Sequence, residues 1–163
     1  RRVRLTDRCA GASRGEAVMS EHNVAHVARY EYLSSIKSLA DEGSTMCVYL
    51  TVVDYLELAG RTLPDGVVAE RFEVVVNLLD RRQGRRVRVR VQGRSDDAVL
   101  PSMFDLYPGT EAMEREVFDM FGVEFDGHPD LTRILMPEDW IGHPLRTDYE
   151  VGRIPVQFKE AHA

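Results

Sequence analysis

Three segments rich in β-branched residues limit the fold of this chain more than any other feature. Residues 46–56 are almost continuously apolar, residues 70–79 place apolar side chains on one face, and residues 85–91 alternate valine with arginine. Such patterns are typical of strands with at least one buried face. We predict an inner strand over 46–56 and two further strands joined as a hairpin around residues 80–84. The predicted core side chains of the hairpin are Phe72, Val74, Val76, Leu78, Val87, Val89 and Val91.

Helical periodicity predicts a first helix before these strands. Asn23 can cap it, and Gly43 can end it in the left-handed conformation that glycine tolerates. Apolar residues in between recur at three- and four-residue spacing, which indicates a helix that covers a sheet. The predicted stripe consists of Ala25, Ala28, Tyr32, Leu33, Ile36, Leu39 and Ala40.

Two more helices are predicted in the second half of the chain. Pro101 can start a short one, and a longer one runs over residues 110–121 and stops at Gly122. Together with the strands, these elements predict an α/β fold of the α+β type. The expected architecture is a single domain in which helices cover a small sheet, followed by a long irregular C-terminal wrap.

The charges of the longer helix are mostly explained by local pairing. Arg115 lies four residues from both Glu111 and Asp119, at the spacing that allows ion pairs along a helix. Glu111 and Glu114 also lie near the positive end of the helix dipole. Glu116 is left over beside the apolar side of the helix, where a carboxylate needs a cationic partner.

After Gly122 the chain is interrupted repeatedly by glycine and proline, so we expect it to wrap over the surface without regular structure. Arg133 and Arg146 lie in this wrap and carry planar groups that suit bidentate contacts with Glu114, Glu116 or a partner protein. A buried pair of this kind would be sensitive to the loss of either member.

Two histidines of the wrap, His128 and His143, each precede a proline, which biases their backbone to an extended conformation. With the nearby aspartates they could be interpreted as a metal site or as acid–base residues. No HExxH, GxSxG or P-loop pattern supplies the converging geometry that such chemistry needs. Hydrogen bonds that fix the loop are therefore the favoured role. The aspartates concerned are Asp126, Asp130 and Asp139.

Composition excludes several classes of protein. With 163 residues the chain has the length of one domain. No apolar stretch approaches ~18 residues, so we expect a soluble protein that meets a membrane only through partners. The two cysteines, Cys9 and Cys47, are far apart, which argues against a cysteine-held iron–sulfur cluster or a zinc ribbon on this chain.

Charge is unevenly distributed along the chain. The first 14 residues contain five arginines and one aspartate, a local net charge of +4 that leaves −10 for the rest of a chain of net charge −6. We predict residues 1–20 to be a disordered basic extension, in preference to the remnant of an organelle transit peptide. Residues 21–149 form the predicted domain, and residues 150–163 form an extended tail.

Seven arginines between residues 81 and 94 raise the alternative of nucleic-acid binding. Period-two arginines beside valines are better explained as the outer face of a half-buried strand, where charge prevents an edge from pairing with another chain. No aromatic residue interleaves with them, and the chain as a whole is acidic, so no nucleic-acid partner is expected. A contact with a protein or an anionic surface remains open.

The segment from residue 114 to residue 149 carries a family resemblance. It reads EREVFDMFGVEFDGHPDLTRILMPEDWIGHPLRTDY. The run ERE-VFDMFG-V-EF-GHPDL-RIL, followed by GHPLR-DY, resembles the C subunit, the small hydrophilic 30-kDa-type subunit, of the proton-pumping NADH:quinone oxidoreductase, respiratory complex I. Weaker similarity extends back to residues 53–55. Thr147 departs from the family pattern by replacing a common lysine, and Ala112-Met113 replace a common Trp-Tyr pair.

The resemblance implies a subunit of the peripheral arm that contains no cofactor, because FMN and the iron–sulfur clusters belong to partner subunits. It implies packing against the quinone-site and iron–sulfur subunits on the cytoplasmic side of the cell membrane or, for a mitochondrial protein, on the matrix side of the inner membrane. No catalytic residues are expected. The expected structural or interface residues are Glu114, Arg115, Glu116, Asp119, His128, Arg133, His143, Arg146 and Asp148.

Two alternatives remain at this stage. Related subunits also occur in membrane-bound hydrogenases, in formate-oxidising complexes and in coenzyme-linked dehydrogenases. A stand-alone enzyme that uses His128, His143 and nearby carboxylates is the third interpretation. The intact GHPDL-RIL and PLR segments favour the complex I interpretation over the related complexes.

Overall fold

The computed structural model of the protein describes residues 18–19, 23–58 and 60–150. Its helices and strands are β1 (Val18–Met19), β2 (Val24–Val27), α1 (Tyr32–Asp41), β3 (Met46–Asp54), β4 (Phe72–Asp80), β5 (Arg85–Gly93), β6 (Val99–Pro101), α2 (Glu111–Phe121) and β7 (Glu124–Asp126). A five-stranded sheet has the order β1-β2-β5-β4-β3, and β6 and β7 form a small second sheet. In the larger sheet only β2 and β5 run parallel. One hydrophobic core joins both helices and both sheets, which confirms the predicted single α+β domain.

The predicted hairpin is confirmed as β4 and β5. Their register runs without a break from Phe72 opposite Gly93 to Asp80 opposite Arg85. All seven side chains predicted for its core are buried. Valine fits this pleated, half-buried surface, while Arg86, Arg88 and Arg90 of β5 point to the opposite face.

The predicted positions of two strands within the sheet are wrong. β3 lies at the end of the sheet and pairs only with β4 among the described strands, although its apolar sequence predicts an inner strand. β5 lies between β4 and β2, although its arginines suggest a protected edge. The cause is the parallel pairing of β2 with β5, a long-range contact that fills the position beside the arginine-bearing strand.

The first helix is shorter than predicted because its first turns are replaced by β2. Val24 pairs with Arg88 and Val27 with Val91, so tertiary pairing overrides the helical periodicity of residues 24–27. Asn23 has a left-handed φ of 56° and caps no helix. The predicted stripe is correct at Tyr32 and Ile36, which are fully buried, and wrong at Ala28 and Leu33, which are exposed.

The short helix predicted at Pro101 is absent. Pro101 instead ends β6, whose partner is β7, and Asp126 is opposite it. The amide of Ser102 continues the contact by donating to the carbonyl of Asp126 at 2.7 Å. Proline is compatible with the end of a short strand because its missing N–H removes no required ladder bond there.

α2 agrees closely with its prediction. It spans Glu111–Phe121, and Gly122 terminates it with a φ of 73°. Arg115 pairs with Glu111 at 3.7 Å, as predicted. The predicted pair of Arg115 with Asp119 does not form, because Asp119 is buried and contacts the C-terminal segment.

Residues 127–150 contain no helix or strand, which confirms the predicted irregular wrap. Within the predicted N-terminal extension, Val18–Met19 form β1 and pair with β2; residues 1–17 and 20 lie outside the described residues. The predicted tail falls outside them as well, from residue 151 onward. No helix in the described part of the chain is long and apolar enough to cross a bilayer.

Two buried tyrosines give a matched test of this core. The hydroxyl of Tyr107 donates to the carbonyl of Ser44 at 2.6 Å, whereas the buried hydroxyl of Tyr32 has no hydrogen-bond partner among the described residues. We predict that Tyr107→Phe lowers the free energy of unfolding by about 1–3 kcal/mol, because it leaves a buried carbonyl unpaired. Tyr32→Phe should change it by less than about 0.5 kcal/mol. Urea unfolding of both variants measures the difference, and equal losses would contradict the assignment.

Candidate functional site

Two buried carboxylates of α2 lie where the C-terminal wrap packs on the domain. Glu114 and Asp119 are both buried and are five residues apart on this helix. At 3.6 residues per turn, this spacing directs them to different sides of the helix. Glu114 therefore meets the residues after β6, while Asp119 meets the wrap.

Asp119 is the principal anchor of the wrap. Its Oδ2 accepts hydrogen bonds from the consecutive backbone amides of Ile134, Leu135 and Met136 at 3.1, 2.8 and 2.8 Å. Its Oδ1 accepts from the guanidinium of Arg133 at 2.5 Å. Burial by itself would raise the pKa of Asp119, but these donors outweigh burial and hold its pKa below the usual range. The side chain therefore remains a carboxylate inside the protein.

Arg133 and His143 bring two separate stretches of the wrap to the end of α2. Arg133 donates to the carbonyl of Gly142 at 3.0 Å, and Nδ1 of His143 donates to the carbonyl of Asp119 at 3.0 Å. The His143 ring lies against Gly122, where an added Cβ would be 2.6 Å from Nε2. Glycine is thus required at this position both for its left-handed φ and for space.

Arg115 fixes the beginning of the same stretch. Its guanidinium donates to the carbonyl and hydroxyl oxygens of Thr132 at 3.1 and 2.9 Å, and to the carbonyl of Arg133 at 3.1 Å. Because the guanidinium is planar and carries several donors, a single side chain can bind all three acceptors. The segment around Arg133 is consequently held from two sides.

Glu114 and His128 form a second buried contact. Glu114 accepts from the Ser102 hydroxyl at 2.6 Å and from the Met103 amide at 2.8 Å, and burial raises its pKa. Nε2 of His128 is 4.0 Å from Glu114, too far for a hydrogen bond, and donates instead to the carbonyl of Glu111 at 3.1 Å. The amide of Asp130 donates to Nδ1 of the same ring. Both ring nitrogens of His128 thus bind backbone groups and fix the loop.

A third anchor ties the end of the wrap to the sheet. Arg71, just before β4, makes two-pronged contacts with Asp54 at the end of β3 and with Asp148 in the wrap, at 2.7–2.9 Å. The Thr147 amide also donates to Asp54 at 2.9 Å. The Arg71 guanidinium lowers the pKa of Asp148 to about 2. Arg146 adds a 3.3 Å contact with Asp148.

Thr147, which replaces a lysine common in the resembled family, contributes only its backbone to the third anchor. Thr147 is exposed and contributes its backbone N–H to the anchor. Any residue except proline supplies this donor. The contact with Asp54 is thus compatible with either threonine or lysine at this position.

Most of the predicted site residues come together at these three anchors. Asp119, Arg133 and His143 meet at the end of α2, Glu114 and His128 meet near its beginning, and Arg146 and Asp148 meet Arg71. Glu116 does not join them, because it is exposed and has no ion pair with a described residue. Its predicted pairing with Arg133 or Arg146 is wrong, since Arg133 binds Asp119 and Arg146 binds Asp148.

Asp54 and Arg71 are the anchor residues that the sequence interpretation missed. They stand at the end of β3 and just before β4, and β3 and β4 are antiparallel partners. The end of β3 and the beginning of β4 are therefore adjacent, and opposite charges at these two positions predict an ion pair. That signal was present in the sequence.

The anchored wrap exposes large apolar side chains between its fixed points. Leu135 and Ile141 are 61% and 88% exposed, and Ile134 and Leu145 are also exposed. Side chains of this type, on a backbone held by buried ionic contacts, are typical of a protein-binding surface. We call residues 131–149 the wrap surface. No group of three or more His, Cys, Asp or Glu in the described part of the chain is arranged to hold a metal ion.

Comparison with known proteins adds family information to this geometry. Residues 25–154 match the family described as the respiratory-chain NADH dehydrogenase 30 Kd subunit. The matched range includes the two sheets from β2 onward, both helices and the wrap surface. The family pattern thus covers all three anchors.

Several actinobacterial proteins are similar to this chain. The C subunit of the NADH-quinone oxidoreductase of Saccharopolyspora erythraea is 42% identical over 139 residues, which are 83% of this chain and 52% of that protein. The corresponding C subunit of Salinispora tropica is 45% identical over 71% of this chain and 44% of its own length. The chain thus spans about half the length of these relatives.

Two solved structures share the fold. The trypsin-resistant fragment of Nqo5 has a TM-score of 0.59 and 31% sequence identity over 66% of this chain and 81% of the fragment. A chain of the membrane-bound sulfane sulfur reductase, an archaeal respiratory membrane complex, has a TM-score of 0.62 over 90% of this chain and 88% of its own length. Its sequence identity is 22%, so this second likeness is one of fold.

The contact between Gly122 and His143 generates a prediction with a matched control. Gly122→Ala would place a Cβ against the His143 ring, whereas Gly127→Ala, also at a left-handed φ, would meet nothing within 4 Å. In both variants the free energy of unfolding should fall by about 1–2 kcal/mol, because alanine is strained in the left-handed conformation. Gly122→Ala should lower the free energy of unfolding by about 1–3 kcal/mol more through overpacking. The Leu145 amide, which donates to the carbonyl of Met120 at 3.0 Å beside Gly122, should also exchange faster in this variant. Urea unfolding and hydrogen exchange measure these effects; equal losses would contradict the packing role of Gly122.

Acid should release the wrap before it unfolds the sheet. Asp54, Asp119 and Asp148 all have lowered pKa values in the folded protein. Their ionised forms therefore contribute fully to folding stability above the unfolded-state pKa of ~3.9, and this contribution is lost as the pH falls through the folded pKa values. Trp140, the single tryptophan of the chain, lies in the wrap. We predict that its fluorescence changes between about pH 4 and pH 2, before the far-ultraviolet circular dichroism signal is lost. An emission spectrum that stays native down to about pH 2 would refute this prediction.

Proposed function

The chain belongs to the respiratory-chain NADH dehydrogenase 30 kDa subunit family, and on this basis we propose that it is a structural subunit of an NADH:quinone oxidoreductase. In the proposed role it scaffolds the peripheral arm of a complex that couples electron transfer from NADH to quinone with proton translocation. The observation that carries the proposal is the family match over residues 25–154, which contains the whole wrap surface. The chain then contributes to the oxidoreductase without carrying its chemistry.

The geometry of the wrap supports a scaffolding role. Its backbone is held by Asp119, which accepts from the amides of residues 134–136, and by Asp54, which accepts from the Thr147 amide, before any partner arrives. A surface ordered in advance loses less conformational entropy on binding, so more of the contact energy stabilises the complex. Exposed Leu135 and Ile141 supply the apolar contacts that such an interface needs.

The chemistry of the candidate ligands supports the proposal that this chain holds no redox cofactor. Burial raises the pKa of the Cys47 thiol to about 11, so Cys47 is not a thiolate at neutral pH, and the thiolate is the form that binds metals. The rings of His128 and His143 are engaged in contacts with backbone groups. FMN and the iron–sulfur clusters accordingly reside on partner subunits.

The proposed partners are the quinone-site subunit and the iron–sulfur subunits of the same complex. The proposed location is the cytoplasmic side of the cell membrane, where the chain associates peripherally through those partners. The actinobacterial relatives favour this location over the mitochondrial matrix. The names of these relatives also favour an NADH-linked complex over a hydrogenase-type complex. The sulfane sulfur reductase chain, at 22% identity, shows the fold alone and supports neither function.

Two leucines of equal exposure allow a direct test of the wrap surface. Leu135 is 61% exposed in the wrap, and Leu58 is 60% exposed in the segment between β3 and β4. We predict that Leu135→Asp lowers the amount of subunit recovered with the membrane-bound complex by about tenfold, as expected for a charge placed in an apolar interface. Leu58→Asp should leave recovery near the wild-type level. Turnover per assembled complex should stay normal in both variants.

The measurement uses the full-length subunit, expressed in place of the wild-type copy in its host. Blue-native gels quantify assembly, and NADH:quinone activity normalised to an iron–sulfur signal reports turnover. Normal assembly of Leu135→Asp combined with a large loss of turnover would overturn the scaffold role. Equal losses of assembly in both variants would show that the wrap surface has no special part in binding.

A further inference from the structure

The large sheet has a second face that lies opposite the helix-covered core. Alternate residues of each strand point to this face, so its members follow from the strand register. Cross-strand rows connect Tyr49 with Asn77 and Arg88, and Thr51 with Val75 and Arg90. The buried side chains of α1 and α2 belong to the core on the other side.

One end of this outer face is closed by the segment between β3 and β4. The guanidinium of Arg61 stacks on the Tyr55 ring at 3.7 Å and donates to Gln92 at 2.9 Å. It also pairs with the buried carboxylate of Glu73 at 3.3 Å, which Arg90 approaches to 3.4 Å. The charges at this end are therefore matched within the chain.

The other end of the outer face is open. Tyr49 is 52% exposed on β3, and Leu79 is partly exposed on β4. Arg86 and Arg88 are exposed on the neighbouring β5. A shallow depression of about 430 Å³ lies here and is lined by Val24, Val48, Tyr49, Asn77, Arg86 and Arg88. We call this open end the basic face. Its apolar half consists of Tyr49 and Leu79, and its cationic half consists of Arg86 and Arg88.

No carboxylate among the described residues neutralises the cations of the basic face. Arg88 donates only to the uncharged amide oxygen of Asn77, at 3.1 Å, and Arg86 has no ion pair with a described residue. The nearest acidic side chain in sequence, Asp80, is buried and accepts from the backbone amides of Arg82 and Gln83. A chain with a net charge of −6 thus keeps a positively charged patch on one strand.

We propose that the basic face is a second docking site, which binds an acidic segment of a partner protein. Arg86 and Arg88 lie two residues apart on one strand, a separation of roughly 6.8 Å. Carboxylates two apart on a strand or four apart on a helix have a similar spacing of about 6–7 Å. An amphipathic acidic segment would place its carboxylates on these arginines and its apolar side chains on Tyr49 and Leu79.

The shape and composition of the basic face favour a protein over other anionic ligands. Arg86 and Arg88 are attached roughly 6.8 Å apart along β5, a spacing that matches successive carboxylates of a protein segment. A nucleic-acid backbone bound to the arginines would leave the apolar half in contact with water. Base stacking is also disfavoured, because Tyr49 is the single aromatic residue that lines the depression. A protein segment satisfies both halves at once.

This inference rests on the proposed function for the choice of preparation, because the partner segment is sought in the membrane-bound complex. Tyr49→p-benzoylphenylalanine in the full-length subunit places a photo-crosslinker on the basic face. The expected product is a cross-link to a segment of another subunit that contains at least two Asp or Glu within about five residues. A cross-link to lipid, to nucleic acid, to a second copy of the chain or to a segment without acidic residues overturns the proposal, and so does the absence of any cross-link.

Charge reversal provides an independent readout. Arg86→Glu combined with Arg88→Glu should lower the affinity of the subunit for the complex by about tenfold and weaken its dependence on salt concentration. The control variant, Lys37→Glu combined with Arg94→Glu, changes the net charge equally at exposed positions outside the depression. Recovery with the complex across a salt series, and circular dichroism of each purified variant, complete the measurement.

The outcomes separate the two proposals. If the wild-type subunit does not co-purify with NADH:quinone activity, the proposed function fails. If it does co-purify, and the Arg86/Arg88 variant is folded yet recovered as well as its control at every salt concentration, the basic-face proposal fails while the proposed function stands.

Discussion

The order of the C-terminal wrap depends chiefly on the contacts of the buried Asp119 carboxylate. An ionised group inside a protein needs hydrogen bonds, because burying a charge without them is costly. Asp119 obtains them from three backbone amides and the guanidinium of Arg133. The same contacts hold in place a segment that contains no helix or strand. Burying one charge thus supplies the order that regular hydrogen bonding provides elsewhere in the chain.

This arrangement explains why the wrap can expose large apolar residues and still have a defined shape. Its fixed points are polar and buried, at Asp119, at the His128 ring and at the Arg71–Asp54 pair, while large apolar side chains such as Leu135 and Ile141 face outward. An ordinary loop reverses this order, with apolar contacts beneath and polar groups in water. The reversal is consistent with a subunit whose apolar residues are buried only in an assembly, as the family membership suggests.

The sheet divides the molecule into two surfaces with different chemistry. Its inner face carries the core and, through α2, supports the wrap surface. Its outer face is charge-matched at the end near Glu73 and unmatched at the end near Arg86 and Arg88. Two surfaces on different sides of a single domain suit a protein that lies between neighbours.

The sequence by itself determined the elements whose pattern is local. The β4–β5 hairpin and α2 follow from periodicity and from the turn and cap residues beside them, and the glycine and proline interruptions after Gly122 determined that the wrap is irregular. The motif in residues 114–149 also identified the family. Only the tertiary structure decided that residues 24–27 pair with β5, that β3 is an edge strand, and that Asp119 and not Glu116 is the buried partner of Arg133. These outcomes depend on contacts between residues far apart in the chain, and local periodicity carries no information about which distant group fills a given position.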